Sequence, residues 1–297
     1  MRALVLFGLS LVVSASALVE VQTNYHDSVG IPAAERIRVL EEEILAKNPQ
    51  VNSNANRIIG GALAPANAHP HFAGLLVSFV GMAGNSVCGA SLLSPNRLVT
   101  AAHCWFDGTR QAWQFLVILG SNLLYSGGER IATSHVIMHP NYYPRFLTND
   151  IAMIYLPRNA MTNFNVRPIR LPNNSEVWST FERDWAVAAG FGKTSDQQGH
   201  ASSVVSHVAL QVINNNQCAQ LLQSNNFVSS GTLCTSGFGG VGICGGDSGG
   251  PLAAYGNDGQ PFLIGVSSFA VTNGCQRSLP SGFARVTSYL NFIHQHM

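Results

Sequence analysis

The chain has 297 residues, of which 46% are hydrophobic and 10% charged, enough apolar material for one large or two modest cores. A formal net charge of +1 offers no electrostatic footprint for a nucleic acid or a charged membrane surface, so neither is expected as a partner. Glycine (29) and proline (13) are scattered without period, which suits many short strands joined by turns.

Residues 1–17 read as a secretory signal: Arg2 supplies the positive start, Ala3 to Val13 is an apolar run broken only by Gly8 and Ser10, and Ala15-Ser16-Ala17 offers small residues for cleavage after Ala17. The apolar run is too short for a bilayer span, which takes about 20 residues. Export sets an oxidising context for the six cysteines, Cys88, Cys104, Cys218, Cys234, Cys244 and Cys275, and an even number suggests disulfides whose pairing spacing alone does not choose. No Cys-x-x-Cys pair occurs, so no metal and no cofactor is expected.

Residues 18–57 hold six of the fifteen acidic side chains. Within them, Ala33 to Lys47 has helical spacing, with Ile37, Leu40, Ile44 and Leu45 on one side. Asn48 to Asn56 reads as an accessible linker ending at Arg57. From Ile58 the texture becomes all-β. Leu75–Val80, Leu92–Thr100, Ile151–Leu156, Trp185–Ala189, Val204–Ile213 and Phe262–Phe269 are rich in branched and aromatic residues. Asn257-Asp258-Gly259 is a hairpin signal. Pro172 to Arg183 is polar and suits a connection between two β modules. Val286, Tyr289, Leu290 and Ile293 fall at helix spacing near the C-terminus.

Three local patterns carry chemistry. Thr100-Ala101-Ala102-His103-Cys104 ends an apolar strand. Asn149-Asp150-Ile151-Ala152-Met153-Ile154 opens a buried one with an acid. Gly245-Gly246-Asp247-Ser248-Gly249-Gly250-Pro251 is a glycine-rich loop with a serine at its centre. Glycines on both sides of Ser248 allow a tight turn and let backbone N–H groups converge where an oxyanion would develop. A serine hydroxyl needs a base, a histidine is the usual one near neutral pH, and a buried carboxylate fixes its tautomer. The other histidines, among them His69, His71 and His139, sit in no comparable motif. Asp107 and Asp196 lie in turn-like contexts and are expected to be solvated.

These segments resemble the chymotrypsin/trypsin family of serine endopeptidases from Ile58 to the C-terminal helix. The resemblance implies an all-β fold: two packed Greek-key six-stranded β-barrels with the active site in the cleft between them, plus a C-terminal helix. It divides the chain into a signal peptide (1–17), an activation propeptide (18–57) and a protease domain (58–297). Within the domain the first barrel is about 58–172, the second about 183–285 and the helix about 286–296. It implies His103, Asp150 and Ser248 as the triad, Gly246 and Ser248 N–H as the oxyanion hole, and Ser268 as support for the catalytic acid. The disulfides implied are Cys88–Cys104, Cys218–Cys234 and Cys244–Cys275.

The resemblance also implies that cleavage after Arg57, in Arg57-Ile58-Ile59-Gly60-Gly61, frees an Ile58 amine to pair with Asp247. A trypsin-like protease would make that cut. The specificity pocket maps to Gly242 at its base, Ala270 on its wall and Ser281 (or Gly282 if the loop shifts by one). None is acidic, which implies cleavage after Phe, Tyr, Leu or Met. Gly242, Ser267-Ser268-Phe269 and Leu279-Pro280-Ser281-Gly282-Phe283 are similar to the arthropod brachyurin and insect chymotrypsin-like digestive group, which implies a gut lumen. From Ile58 there are ten arginines and only Lys193, a composition that suits alkaline working pH because arginine keeps its charge. Glu129 alone supplies an acid between Gly120 and Glu129, so no calcium loop is expected, and Asn173-Asn174-Ser175 is one glycosylation sequon. The partners implied are protein or peptide substrates, an activating protease and protein inhibitors, with the enzyme a monomer. The alternatives are a regulatory protease of a defence or developmental cascade, and a non-catalytic binding homologue. The absence of cysteine from residues 18–57 disfavours the first, and the retained serine and histidine disfavour the second.

Overall fold

The computed structural model describes residues 21, 23–47, 64–65, 67–193, 196, 201–271 and 275–297. The signal expected over 1–17, the linker Asn48 to Asn56 and the Arg57-Ile58 junction lie outside the described residues.

Seven antiparallel strands form the first sheet: β1 (Phe72–Ser78), β2 (Asn85–Ser94), β3 (Arg97–Thr100), β4 (Gln114–Leu119), β5 (Glu129–Thr133), β6 (Val136–Met138) and β7 (Ala152–Tyr155). Their order is β5-β4-β1-β2-β3-β7-β6, so the two edge strands are neighbours in the chain, with only Ser134 and His135 between them. Thr133 Oγ1 donates to the Tyr155 carbonyl at 2.6 Å, and Tyr155 N–H donates to the His135 carbonyl at 3.0 Å. These bonds join the end of β5 to β7, so the sheet curls round into a barrel-like form. The expected six strands become seven because Ser134 and His135 interrupt one strand. The run Leu92–Thr100, expected as a single strand, is a hairpin: Pro95 has no N–H for a ladder, so the chain turns at Pro95-Asn96.

The second barrel is closed and has six strands: β8 (Trp185–Gly190), β9 (Ser206–Ile213), β10 (Thr232–Thr235), β11 (Pro251–Tyr255), β12 (Pro261–Phe269) and β13 (Ser281–Arg285). The Asn257-Asp258-Gly259 signal is realised in the β11–β12 hairpin, where Gly259 takes φ 72°. A short helix, Asn215–Leu222, begins with Asn214 accepting the Gln217 N–H at 2.8 Å. Sequence periodicity did not reveal it. The first barrel is filled by side chains such as Leu75, Leu92, Leu98 and Phe115. Leu210, Leu233, Ile264 and Phe283 fill the second. At the C-terminus a 3-10 turn, Val286–Tyr289, leads into the helix Leu290–Gln295. Its Phe292 and Ile293 pack into the core of the first barrel.

The six cysteines pair as Cys88–Cys104, Cys218–Cys234 and Cys244–Cys275, the pairing the resemblance implies.

Ahead of the barrels stands a helix, Ile31–Lys47, entered through a single π turn, His26–Gly30. Its inward stripe is Ala33, Ala34, Ile37 and Glu41. Leu40, Ile44 and Leu45 are only half-buried. An acid therefore takes a place in the docking face that spacing assigned to apolar residues.

Candidate active site

The glycine-rich loop before β11 has the conformation its composition suggests. Gly246 sits at φ 110° and Gly249 at φ 79°, backbone that L side chains rarely adopt. A Cβ on Gly249 would lie 2.2 Å from Thr100 Oγ1 and 2.4 Å from the Gly89 carbonyl. The close approach lets Gly89 N–H donate to the Ser248 carbonyl at 2.7 Å, so β2 lies directly under the loop. Gly249 N–H is tied to the Ser267 carbonyl at 2.8 Å. Among the described residues, the N–H groups of Gly246 and Ser248 donate to no backbone carbonyl.

His103 lies in the 3-10 turn that follows β3, and Asp150 lies two residues before β7 begins. Since β3 and β7 are paired, the two side chains meet. Both residues are buried, at 2% and 1% exposure. His103 Nδ1 is 2.7 Å from Asp150 Oδ2, and His103 N–H donates to Oδ1 at 2.8 Å. Ser268 Oγ, on β12 of the other barrel, donates to Oδ2 at 2.6 Å. A carboxylate that only accepts fixes the Nδ1–H tautomer and leaves Nε2 as the basic nitrogen. Nε2 is buried and has no hydrogen-bond partner among the described residues.

His103, Ser248 and Ser268 open on to one cavity of about 560 Å³. Its walls include Ile243, Phe269, Ala270, Val271 and the Cys244–Cys275 pair. Gly242 and Ser281 are adjacent to each other but are not among the residues that line it: a Cβ on Gly242 would meet Ser281 Oγ at 2.8 Å, and Ser281 Oγ accepts the Ile243 N–H at 3.1 Å. Asp196 and Lys193 are the charged side chains that the barrel side contributes. Both Asp196 oxygens accept backbone N–H groups, from Cys275 and Gln276, each at 2.9 Å.

Asp247 points away from the cavity. Its carboxylate accepts the Gly192 N–H at 2.7 Å and the Cys244 N–H at 2.9 Å. A Cβ on Gly192 would fall 2.1 Å from it. Burial pushes its pKa up to about 6, against the two N–H donors that lower it. No cation pairs with it among the described residues.

Two features depart from the sequence reading. Asp107 is buried at 2% exposure and accepts the N–H groups of His26, Thr109 and Arg110. Its turn is covered by the leader, which is why a turn-like context did not leave it solvated. The other feature is that leader itself: Tyr25, Ser28, Val29, Pro32, Ala33 and Arg36 form the roof of the cavity. Spacing showed a helix in the leader and nothing of where it docks.

The comparisons with known proteins agree with this geometry. The family model described as Trypsin matches residues 58–293. The chain is 35% identical over 240 residues to a protein named Collagenase from Hypoderma lineatum, covering 81% of this chain and 87% of that one. It is 32% identical to Brachyurin from Leptuca pugilator, covering 80% and 96%. A solved structure of HL collagenase superposes with a TM-score of 0.71 at 34% identity, covering 80% of this chain and 98% of the other. A matched family model over most of the chain, two β-barrels and a serine, histidine and carboxylate at their junction place this chain in the trypsin family, as a serine endopeptidase.

Proposed function

We propose that Ser248, His103 and Asp150 carry the reaction. Ser248 Oγ attacks the scissile carbonyl carbon as His103 Nε2 takes its proton, and the carbonyl oxygen becomes an oxyanion facing the N–H groups of Gly246 and Ser248. His103 then gives the proton to the leaving amine, and water repeats the sequence on the acyl-enzyme. Asp150 holds the imidazole and stabilises its charged form, and Ser268 holds Asp150.

The protein is a secreted precursor, cut after Arg57 by a protease of trypsin-like specificity. The new Ile58 amine pairs with Asp247, a buried acid whose charge is otherwise uncompensated. The active enzyme cuts after uncharged, mainly apolar residues and works in digestion at alkaline pH. The observation that carries this specificity is the cavity wall: Ile243, Phe269, Ala270 and Val271 are apolar, and the Asp196 oxygens are committed to backbone N–H groups. The name of one relative, Collagenase, supports a protein substrate.

The activation scheme is tested with Arg57→Gln. That variant should be secreted but gain no activity when trypsin is added, whereas the wild type gains it as Ile58 becomes the N-terminus. Full activation of the variant would remove the scheme.

A further inference from the structure

We propose that residues 21–47 are an inhibitor carried in cis, which threads the catalytic cleft, packs Tyr25 against His103 beside Ser248 and, once the chain is cut behind it, remains as a dissociable peptide ligand. The first part stands on the leader's contacts alone, and the last part rests on the precursor reading above.

The leader follows the path of a peptide in the cleft. Val21 forms an antiparallel bridge with Val271, on the cavity wall. Four residues later Tyr25 reaches the catalytic centre. Its ring packs edge-on against the His103 ring, with centroids 4.9 Å apart. Its hydroxyl donates to the Val87 carbonyl at 2.7 Å. Ser248 and the Gly246 N–H lie close enough to that oxygen to favour the ionised phenol, against the burial that raises its pKa. The phenol thus sits beside the nucleophile and one of the N–H groups assigned to the oxyanion, while His103 Nε2 has no partner among the described residues. The Ser248–His103 hydrogen bond that nucleophilic attack requires is not made.

The leader is built as an occupant and not as a substrate. The backbone at Tyr25 is helical, with φ −65° and ψ −48°, and runs directly into the His26–Gly30 turn. A helical segment turns its carbonyls along its own axis, so Ser248 faces a phenol and not a carbonyl carbon. Anchors follow on the far side. His26 N–H donates to Asp107 at 2.9 Å, its ring Nδ1 lies 2.9 Å from Ser86 Oγ, and Asp27 pairs with Arg110. Gly30 is a close-approach glycine, since a Cβ there would fall 1.9 Å from Ser86 Oγ and 2.8 Å from the Tyr25 ring. Farther along, Ile37 is fully buried with Phe72, Val87 and Phe191. The Glu41 carboxylate accepts the N–H groups of Leu124 at 2.6 Å and Tyr125 at 3.0 Å. These contacts involve both barrels and do not depend on how the chain continues after Lys47.

Two arms test the proposal. In the first, the uncut full chain is reacted with a fluorophosphonate, which forms a covalent bond with a nucleophilic serine. Tyr25→Ala should be labelled at Ser248 at least tenfold faster than the wild type, with Tyr25→Phe between them. Tyr25→Phe keeps the ring and so guards against a folding defect in the smaller variant. Equal rates in all three overturn the cis inhibitor. In the second arm, the full chain is cut by immobilised trypsin and sequenced from its new N-terminus. Activity on a small apolar ester should rise per molecule on dilution and fall when synthetic peptide 18–57 is added, with Tyr25→Ala peptide at least a hundredfold weaker. A free Ile58 with activity insensitive to dilution and to the peptide overturns the retained ligand while leaving activation intact. A chain that is never cut after Arg57 overturns the activation reading, and the labelling rates still decide the cis inhibitor.

Discussion

Asp150 accepts three hydrogen bonds, and the two side-chain donors have different consequences when removed. Asp150→Asn presents an amide to His103 Nδ1 and favours the wrong tautomer. We expect kcat to fall about ten-thousandfold, the size this exchange has in the family's reference protease. Ser268→Ala removes one bond to a charged group, worth about 1.5–3 kcal/mol, and should lower kcat roughly ten- to a hundredfold with KM little changed. Steady-state kinetics on the activated variants measures both. These residues were legible in the sequence because their constraints are local: Gly246 and Gly249 are needed at positive φ, and His103 and Asp150 each adjoin an apolar strand. Tyr25 was not legible, because its role is a contact with residues far along the chain, and no local pattern marks an aromatic residue as a plug.

The Ile31–Lys47 helix shows how far periodicity reaches. Spacing located it, and Ile37 on its inward side is fully buried. Spacing did not show that Glu41 shares that face, because the Leu124 and Tyr125 N–H groups that receive the carboxylate belong to another part of the chain. The Glu41 carboxyl is pushed up to about 7, chiefly by burial, with the N–H donors and Arg130 opposing. A raised acid pKa means that the docked state prefers the proton. The contribution of Glu41 to docking is complete below its free value of about 4.5 and is lost as pH rises through about 7. His26, pushed down to about 4 by burial, acts in the opposite sense, since its docked state prefers the neutral ring and docking weakens below about 6.5. Glu41→Gln should therefore raise the melting temperature of the uncut chain more at pH 8 than at pH 5, as followed by thermal denaturation. Gly30→Leu should act on the same element by steric force alone. With no room beside Ser86, it should lift the turn and raise the rate of Ser248 labelling in the uncut chain.

Across the whole molecule, the barrels meet along a cleft whose two sides divide the work. The first barrel supplies His103 and Asp150, and the second supplies Ser248, Ser268 and the pocket wall. The two-barrel architecture was implied by the motifs, but two details needed the structure. They are the split strand at Ser134-His135 and the hairpin inside Leu92–Thr100, each set by pairing between distant segments. Asp247 lies beneath the cleft, where burial raises its pKa to about 6. For a raised acid, stability is complete below about 3.8 and declines as pH rises through about 6. Asp247→Asn should remove that decline, so the stability gain of the variant over the uncut wild type should grow between pH 4 and pH 7. Cutting should reverse the preference, as the Ile58 amine makes the charged acid the favourable form.

The pocket gives the whole account its most direct test. A denatured protein mixture is digested with the protein activated by immobilised trypsin, and the new C-termini are read by mass spectrometry, with an equally treated Ser248→Ala chain as the blank. Cleavage should concentrate after Phe, Tyr, Leu and Met and vanish in the blank. Dominant cleavage after Arg or Lys above that blank would contradict the apolar pocket wall, and undiminished cleavage by the Ser248→Ala chain would contradict the nucleophile.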